Sequence, residues 1–401
     1  MSADKSTKIE TRLAHAGRSP RDHHGVVNPP VYHASTILQP SLAAWEAAGK
    51  PGYDGYLYGR FGTPTTRSFE TAIAELYGAD DAVAVSSGLA AIAVAMTAHT
   101  KTGDHVLVTD SAYFPCRKFC ETVLRKYGVA ISYYDPTVGA GIADLIRPET
   151  SLIVTESPGS VTFEIQDIPA IVAAAHARGV KVMTDNTWAT ALYFNPLDHG
   201  VDVVVEAATK YISGHSDVMI GLVAGRGTDT PRLRATAGAL GNCSGPDDLY
   251  LAQRGLRTMA VRIARNQANG LALARWLQTR PEVARVLHPA LPDHPGHALW
   301  QRDFRGASGL FSIVLHPVEK PALAAFLDGL KLFGMGASWG GYESLIMPAD
   351  PRALRSATSW DMPGQLLRIH AGLEDPGDLI ADLESGFERL AQAGSRPHMS
   401  P

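Results

Sequence analysis

The chain has 401 residues, 45% hydrophobic and 19% charged, with a formal net charge of −4, the composition of a soluble globular protein long enough for two or three domains. No cluster of Lys and Arg marks a footprint for nucleic acid, and no apolar run is long enough to span a bilayer. Three cysteines, Cys116, Cys120 and Cys243, form neither a disulfide framework nor a metal site, and the polar start Met1-Ser-Ala-Asp-Lys-Ser-Thr-Lys lacks the apolar core of a signal peptide, so a reducing cytoplasm is expected.

In chain order, residues 1–60 carry the breakers Asn28-Pro-Pro30, Pro40 and Pro51-Gly52 and show no periodicity. They read as an arm that packs on something else, expected to be a partner subunit. The arm ends in Gly55-Tyr-Leu-Tyr-Gly-Arg-Phe-Gly62, a glycine-flanked turn with exposed aromatics. From about residue 64 onward the pattern alternates. It predicts a helix over 65–77, a strand over 81–87, a helix over 89–99, a strand over 105–110, a helix over 115–127 and a strand over 129–134. A strand over 152–156 and a helix over 168–178 follow, and then two apolar strands within 180–188 and at 201–205. Alternation of this kind means an α/β domain with a mostly parallel sheet, here residues 61–257. No Gly-x-Gly-x-x-Gly follows a strand, so the dinucleotide fingerprint is missing. Residues 230–280 read as helical. The remainder, 258–401, reads as a smaller α+β C-terminal domain with strands near 284–288, 309–315 and 366–370 and a closing amphipathic helix over 376–390.

Two of these strands finish in residues suited to chemistry. Val201–Val205 runs into Glu206-Ala-Ala-Thr-Lys-Tyr-Ile-Ser-Gly-His-Ser-Asp217, which places Lys210 beside an apolar strand end. Burial there disfavours the ammonium and leaves an amine able to attack a carbonyl. The plain alternative is a solvated surface lysine. Val180-Lys-Val-Met-Thr-Asp-Asn-Thr-Trp188 ends in Asp185, which alone would suit a helix N-cap. As a pair, a lysine and a carboxylate are what pyridoxal phosphate (PLP) requires: the amine holds the aldehyde, and the acid keeps the pyridine nitrogen protonated so that the ring accepts electrons. Ser86-Ser-Gly-Leu-Ala-Ala91, at a strand-to-helix junction, offers Gly88 and Leu89 as a backbone cup for an anion, although Ser-Gly before a helix is common. Tyr113 follows the next strand at the edge where open sheets bind ligands, or else packs as a helix-start staple. Arg368, between apolar neighbours in Leu366-Leu-Arg-Ile-His370, needs an anion, either a structural acid or a ligand carboxylate.

Asp185-Asn-Thr-Trp and Ala208-Thr-Lys-Tyr…Gly214-His-Ser-Asp217 resemble the signatures of the Cys/Met-metabolism (transsulfuration) family of PLP-dependent enzymes, and the resemblance runs from about Leu13 to about Leu390. It implies the PLP-dependent aminotransferase-like fold (fold type I), with PLP as cofactor. Lys210 would hold PLP, beside Thr209. Asp185 would contact the ring nitrogen, Tyr113 would stack on the ring, and Gly88 and Leu89 would bind the phosphate. Tyr58 and Arg60 would reach the phosphate of a neighbouring subunit in a homodimer, assembled further as a dimer of dimers. Arg368 would hold the substrate carboxylate, with Ser160, Ala337, Ser338 and Trp339 around the substrate. Lys210 would carry the Cα proton, with Tyr113 or Tyr58 assisting.

The implied reaction is carbon–sulfur β-elimination from cystathionine to homocysteine, pyruvate and ammonia. Trp339 and Ser160 stand where much of the family's γ-acting branch carries Leu and Asn, which favours attack at Cβ. Ala337 departs from both the Glu of several γ-acting members and the Tyr of a β-lyase, and leaves the thiol side roomier. A broader cysteine-S-conjugate β-lyase, a γ-acting relative or a PLP-binding regulatory protein are the alternatives. Retention of Lys210, Asp185, Tyr113 and Arg368 together argues against the last.

Overall fold

A computed structural model describes residues 7–50 and 53–394. The first six residues of the polar start and the Pro51-Gly52 breaker lie outside the described residues. The strands are β1 (Asp81–Val85), β2 (His105–Thr109), β3 (Ala130–Tyr134), β4 (Thr150–Glu156), β5 (Lys181–Asp185), β6 (Val203–Glu206), β7 (Gly221–Gly225), β8 (Val283–Leu287), β9 (Leu310–Leu315), β10 (Leu345–Ala349) and β11 (Leu366–His370).

Seven strands form one sheet in the order β1-β7-β6-β5-β4-β2-β3. From β6 to β3 neighbours run parallel, whereas β7 is antiparallel to both β1 and β6. The central strands are runs of Val, Ile, Leu and Met because both faces are covered by helices. Alternation along each strand divides the side chains: Val182 and Val204 join Phe69, Ile73 and Leu256 on one face, while Met183, Val203 and Val205 join Ile92, Met96 and Val108 on the other. The sheet, covered by helices on both faces, bears out the expected α/β, mostly parallel architecture. A second sheet, β10-β11-β9-β8, is antiparallel throughout. It carries its own core under the helices Lys320–Asp328 and Pro376–Gly394, where Phe326 and Phe387 pack at a centroid distance of 4.8 Å.

One helix joins the two halves. Pro246–Leu277 packs on Ile9–His15 and Pro64–Tyr77 beside the large sheet and on β8, β9 and Pro376–Gly394 beside the small one. Residue 257 falls inside this helix. It also braces the segment that follows β6. A Cβ on Gly255 would come within 2.2 Å of the Ser213 carbonyl oxygen, and Arg262 donates to the carbonyls of Ile212 (3.1 Å) and Gly255 (2.7 Å). The stretch carrying Lys210 is thus wedged against a rigid rod.

Several elements differ from the sequence reading. The arm holds two short helices, Ile9–His15 and Leu42–Ala48. The helix expected over 115–127 starts at Phe114 and is regular only to Phe119; Cys120–Leu124 then widens to i→i+5 bonding. The helical region from 230 is broken between Asp229–Ala239 and Pro246–Leu277, with Gly241 at φ 69° supplying the turn. β7 carries no strand signal in the sequence, because its five residues are bounded by glycines. β10 carries no strand signal in the sequence, because Pro348 interrupts it, which an edge strand tolerates. No described helix is long and apolar enough to cross a membrane.

Candidate active site

The carboxyl ends of β4, β5 and β6 open into a cavity of about 450 Å³ between the two sheets. Lys210 sits on its floor. After β6 the chain turns tightly: Ala207 N–H donates to Thr187 Oγ1 (2.9 Å), and Thr209 Oγ1 exchanges bonds with the Ile220 backbone on β7's approach. This pins the backbone on both sides of Lys210. Its Nζ donates to Ser338 Oγ at 2.7 Å and lies 5.5 Å from the centre of the Trp339 ring. Among the described residues no acid pairs with Lys210. Burial first, and the Arg368 guanidinium second, push its pKa down to about 8.

Arg368, on β11, faces the same space. Its Nη2 donates to the Ser338 carbonyl at 3.0 Å, and no described carboxylate pairs with it. Burial lowers its pKa to about 10, a sign that the guanidinium lacks the anion it would need. Asp185, at the end of β5, is the counterpart: a half-buried carboxyl that accepts from Thr187 N–H (3.0 Å) and Thr187 Oγ1 (2.6 Å) and meets no cation among the described residues. Burial raises its pKa above the ordinary value.

The helix Gly88–His99 points its N-terminus into the cavity, capped by Ser87 Oγ accepting from Ala90 N–H at 3.1 Å. Gly88 is needed for close approach: a Cβ there would lie 2.5 Å from the Ala207 Cβ. Gly221 on β7 serves the same corner, since its Cβ would come within 2.1 Å of the Ser87 carbonyl. The unpaired N–H groups of this first turn, Gly88 and Leu89 included, make an anion cradle.

Tyr113 flanks the opening, half-exposed, with its backbone N–H bonded to Glu156 Oε2 at 2.7 Å. Ser160, Ala337, Ser338 and Trp339 also line the cavity. The fold therefore brings together Lys210, Thr209, Asp185, Gly88, Leu89, Tyr113, Arg368, Ser160, Ala337, Ser338 and Trp339. It does not bring Tyr58 and Arg60 to the same chain's cavity. Tyr58 is exposed, and Arg60 donates to the Gly238 carbonyl (2.8 Å) and lies over Phe61. An amine, a carboxylate without a cation, a phosphate-sized cradle and a guanidinium without an anion are the donor set PLP and an amino acid would fill.

A model of the Cys/Met metabolism PLP-dependent enzyme family matches residues 10–388. The chain belongs to this family, and it is PLP-dependent. The Escherichia coli protein named cystathionine beta-lyase MetC is 45% identical over 395 residues, 97% of this chain and all of that one. A Wolbachia pipientis protein named L-alanine/L-glutamate racemase is 44% identical, covering 96% of this chain and 98% of its own. A crystal structure of cystathionine gamma synthase from Xanthomonas oryzae pv. oryzae, in complex with aminoacrylate and cysteine, superposes with a TM-score of 0.89 at 32% identity, over 97% of this chain and 100% of that one.

Sequence reasoning missed three supports of this family site. Glu156 ends β4 beside Asp185, and the strand-end signal that picked out Asp185 applied to it too. Asp110 and Arg355 gave no such signal. The buried Asp110 carboxylate accepts from the backbone N–H groups of Ser356 (2.9 Å), Ala357 (3.0 Å) and Thr358 (2.8 Å), from both hydroxyls, and from Arg117 Nη1 (2.9 Å). Arg355 bonds back to Glu164 Oε1 (2.7 Å) and to Thr162. A strap from the small half thus clasps the Asp110–Pro115 turn that carries Tyr113 and the loop that carries Ser160. Burial opposes the Asp110 charge, but the strap's donors outweigh it and hold the pKa below the ordinary value. This contribution is present above the unfolded-state pKa of about 4 and is lost as pH falls below it. Asp110→Ala should cost about 3 kcal/mol in urea unfolding, and Asp110→Asn, which keeps an acceptor, clearly less. Unchanged midpoints in both variants would remove the strap from the account.

Proposed function

We propose that this chain catalyses β-elimination from cystathionine, releasing homocysteine, pyruvate and ammonia. The observation that carries the reading is the pairing in one cavity of an acid-free Lys210 amine with an acid-free Arg368 guanidinium, opposite Asp185. When bound, PLP supplies an electron sink conjugated to the substrate's Cα. Lys210 holds the cofactor aldehyde, the Gly88–Leu89 backbone holds its phosphate, Asp185 keeps the pyridine nitrogen protonated, and Tyr113 covers the ring. Arg368 takes the substrate α-carboxylate in a two-point bond, which turns the Cα–H toward Lys210. Once released from the cofactor, Lys210 Nζ is a free amine, easier to keep unprotonated than an ordinary lysine, and accepts the Cα proton. The Cβ–S bond breaks, and Lys210 or Tyr113 returns a proton to the departing thiolate. Water then converts the three-carbon product to pyruvate and ammonia.

Trp339 and Ser160 support cleavage at Cβ, and Ala337 leaves the thiol side open to other cysteine thioethers. Tyr58 and Arg60, which lie away from their own cavity, act from a partner subunit in a homodimer, itself paired into a tetramer, and the enzyme works in the cytoplasm. A second reading has one observation in its favour, the racemase relative at 44% identity: the same Lys210 and Tyr113 can return the proton to Cα with nothing expelled.

A panel of cystathionine, cystine, S-alkylcysteines, methionine and alanine separates these. Pyruvate and homocysteine from cystathionine are expected. Predominant 2-oxobutyrate would move cleavage to Cγ, and D-alanine without keto acid would replace elimination by racemisation. Ala337→Tyr, which fills space and adds a hydroxyl for the distal charged end, should shift the kcat/KM ratio toward cystathionine by about tenfold. An unchanged ratio in the folded, PLP-loaded variant would remove Ala337 from substrate choice.

Mixing Lys210→Ala protein with Arg60→Ala protein under subunit exchange should regenerate activity, because hybrids contain one cavity with both residues intact. No recovery despite proven exchange would place Arg60 in its own chain's function.

A further inference from the structure

Glu156 is half-buried at the end of β4 and stands in register with Asp185 on β5. Adjacent strands in register present both side chains to the same face, so both carboxyls line the cavity. Two carboxylates so close cannot both ionise cheaply away from water. The hydrogen bonds decide which one does. Asp185 receives two donors, the N–H and the hydroxyl of Thr187. Glu156 receives one, the Tyr113 N–H at 2.7 Å. We propose that Glu156 is a positioning residue, held as a neutral carboxylic acid beside an ionised Asp185, whose carbonyl oxygen Oε2 fixes the backbone of Tyr113.

The surroundings agree. Asp185 faces Glu156 from β5, and Tyr113 and the buried thiol of Cys116 face it from the turn and helix after β2. Lys210 and Arg368 share the cavity, but no cation forms an ion pair with it among the described residues. Burial first, and Asp185 second, push the Glu156 pKa well above the ordinary value. Since Oε2 accepts from Tyr113, the acid proton resides on Oε1. The arrangement leaves Asp185 as the single anion on this wall and locks Tyr113 by its main chain, so that its ring position does not depend on the contacts of its side chain.

The assignment rests on the cofactor reading of Asp185 and Lys210, so its decisive test uses neither cofactor nor turnover. The infrared difference spectrum of cofactor-free parent minus Glu156→Gln at neutral pH should contain the carbonyl band of a protonated carboxylic acid. Carboxylate bands in its place would overturn the proposal, whatever the substrate panel returns. In the holoenzyme, Glu156→Gln, neutral and still an acceptor for the Tyr113 N–H, should keep kcat within about threefold at neutral pH. It should also lose any alkaline decline caused by Glu156 ionising. Glu156→Ala, without the acceptor, should lose at least about tenfold in kcat. Equal, severe losses in both variants would show that the acid proton itself is required and would overturn the positioning role.

Discussion

Everything at this site depends on keeping the Lys210 amine away from water and away from any acid. A pKa near 8, against an ordinary value of 10.5, means that keeping the proton costs about 3 kcal/mol more here than in solution. The fold supplies that condition from four directions. β6 carries the backbone to the cavity floor, and the Thr187 and Thr209 hydroxyls fix the turn. The helix Pro246–Leu277 wedges the following residues through Gly255 and Arg262. Ser338, from the loop before β10, offers the amine a neutral oxygen in place of a carboxylate. A single acid in reach of Nζ would stabilise the ammonium and raise the pKa again.

The charges that are present are separated by function. Asp185 is a carboxyl without a cation, the Gly88 helix end a set of unpaired N–H groups, and Arg368 a guanidinium without an anion among the described residues. Each is left without a partner of opposite charge at a site shielded from water, a cost that a ligand carrying the complementary groups would offset. The clasp between Asp110 and residues 356–358, with Arg355 returning to Glu164, ties the wall bearing Tyr113 and Ser160 to the half that supplies Arg368 and Ser338. The cavity therefore keeps its shape although its residues come from opposite ends of the chain.

The central strands were legible because burial on both faces writes continuous Val, Ile and Leu runs, and those runs delivered Asp185 and Lys210 to the same sheet edge. β7 was not legible: Gly221 and Gly225 read as loop, although Gly221 is there to admit the Ser87 carbonyl. The strap was illegible for a different reason. Asp110 and Thr358 are 248 residues apart, and a carboxylate that binds backbone N–H groups requires no side-chain pattern in its partner. Glu156 carried the same strand-end signal as Asp185, and only the parallel register makes the two neighbours. The roles proposed for Tyr58 and Arg60 come from the family resemblance, since neither reaches the cavity of its own chain.

The most direct measurement is borohydride reduction of the PLP-loaded protein followed by peptide mapping. The account predicts one reduced pyridoxyl label, on Lys210, with none after Lys210→Ala. A label on another lysine in the native protein would contradict it.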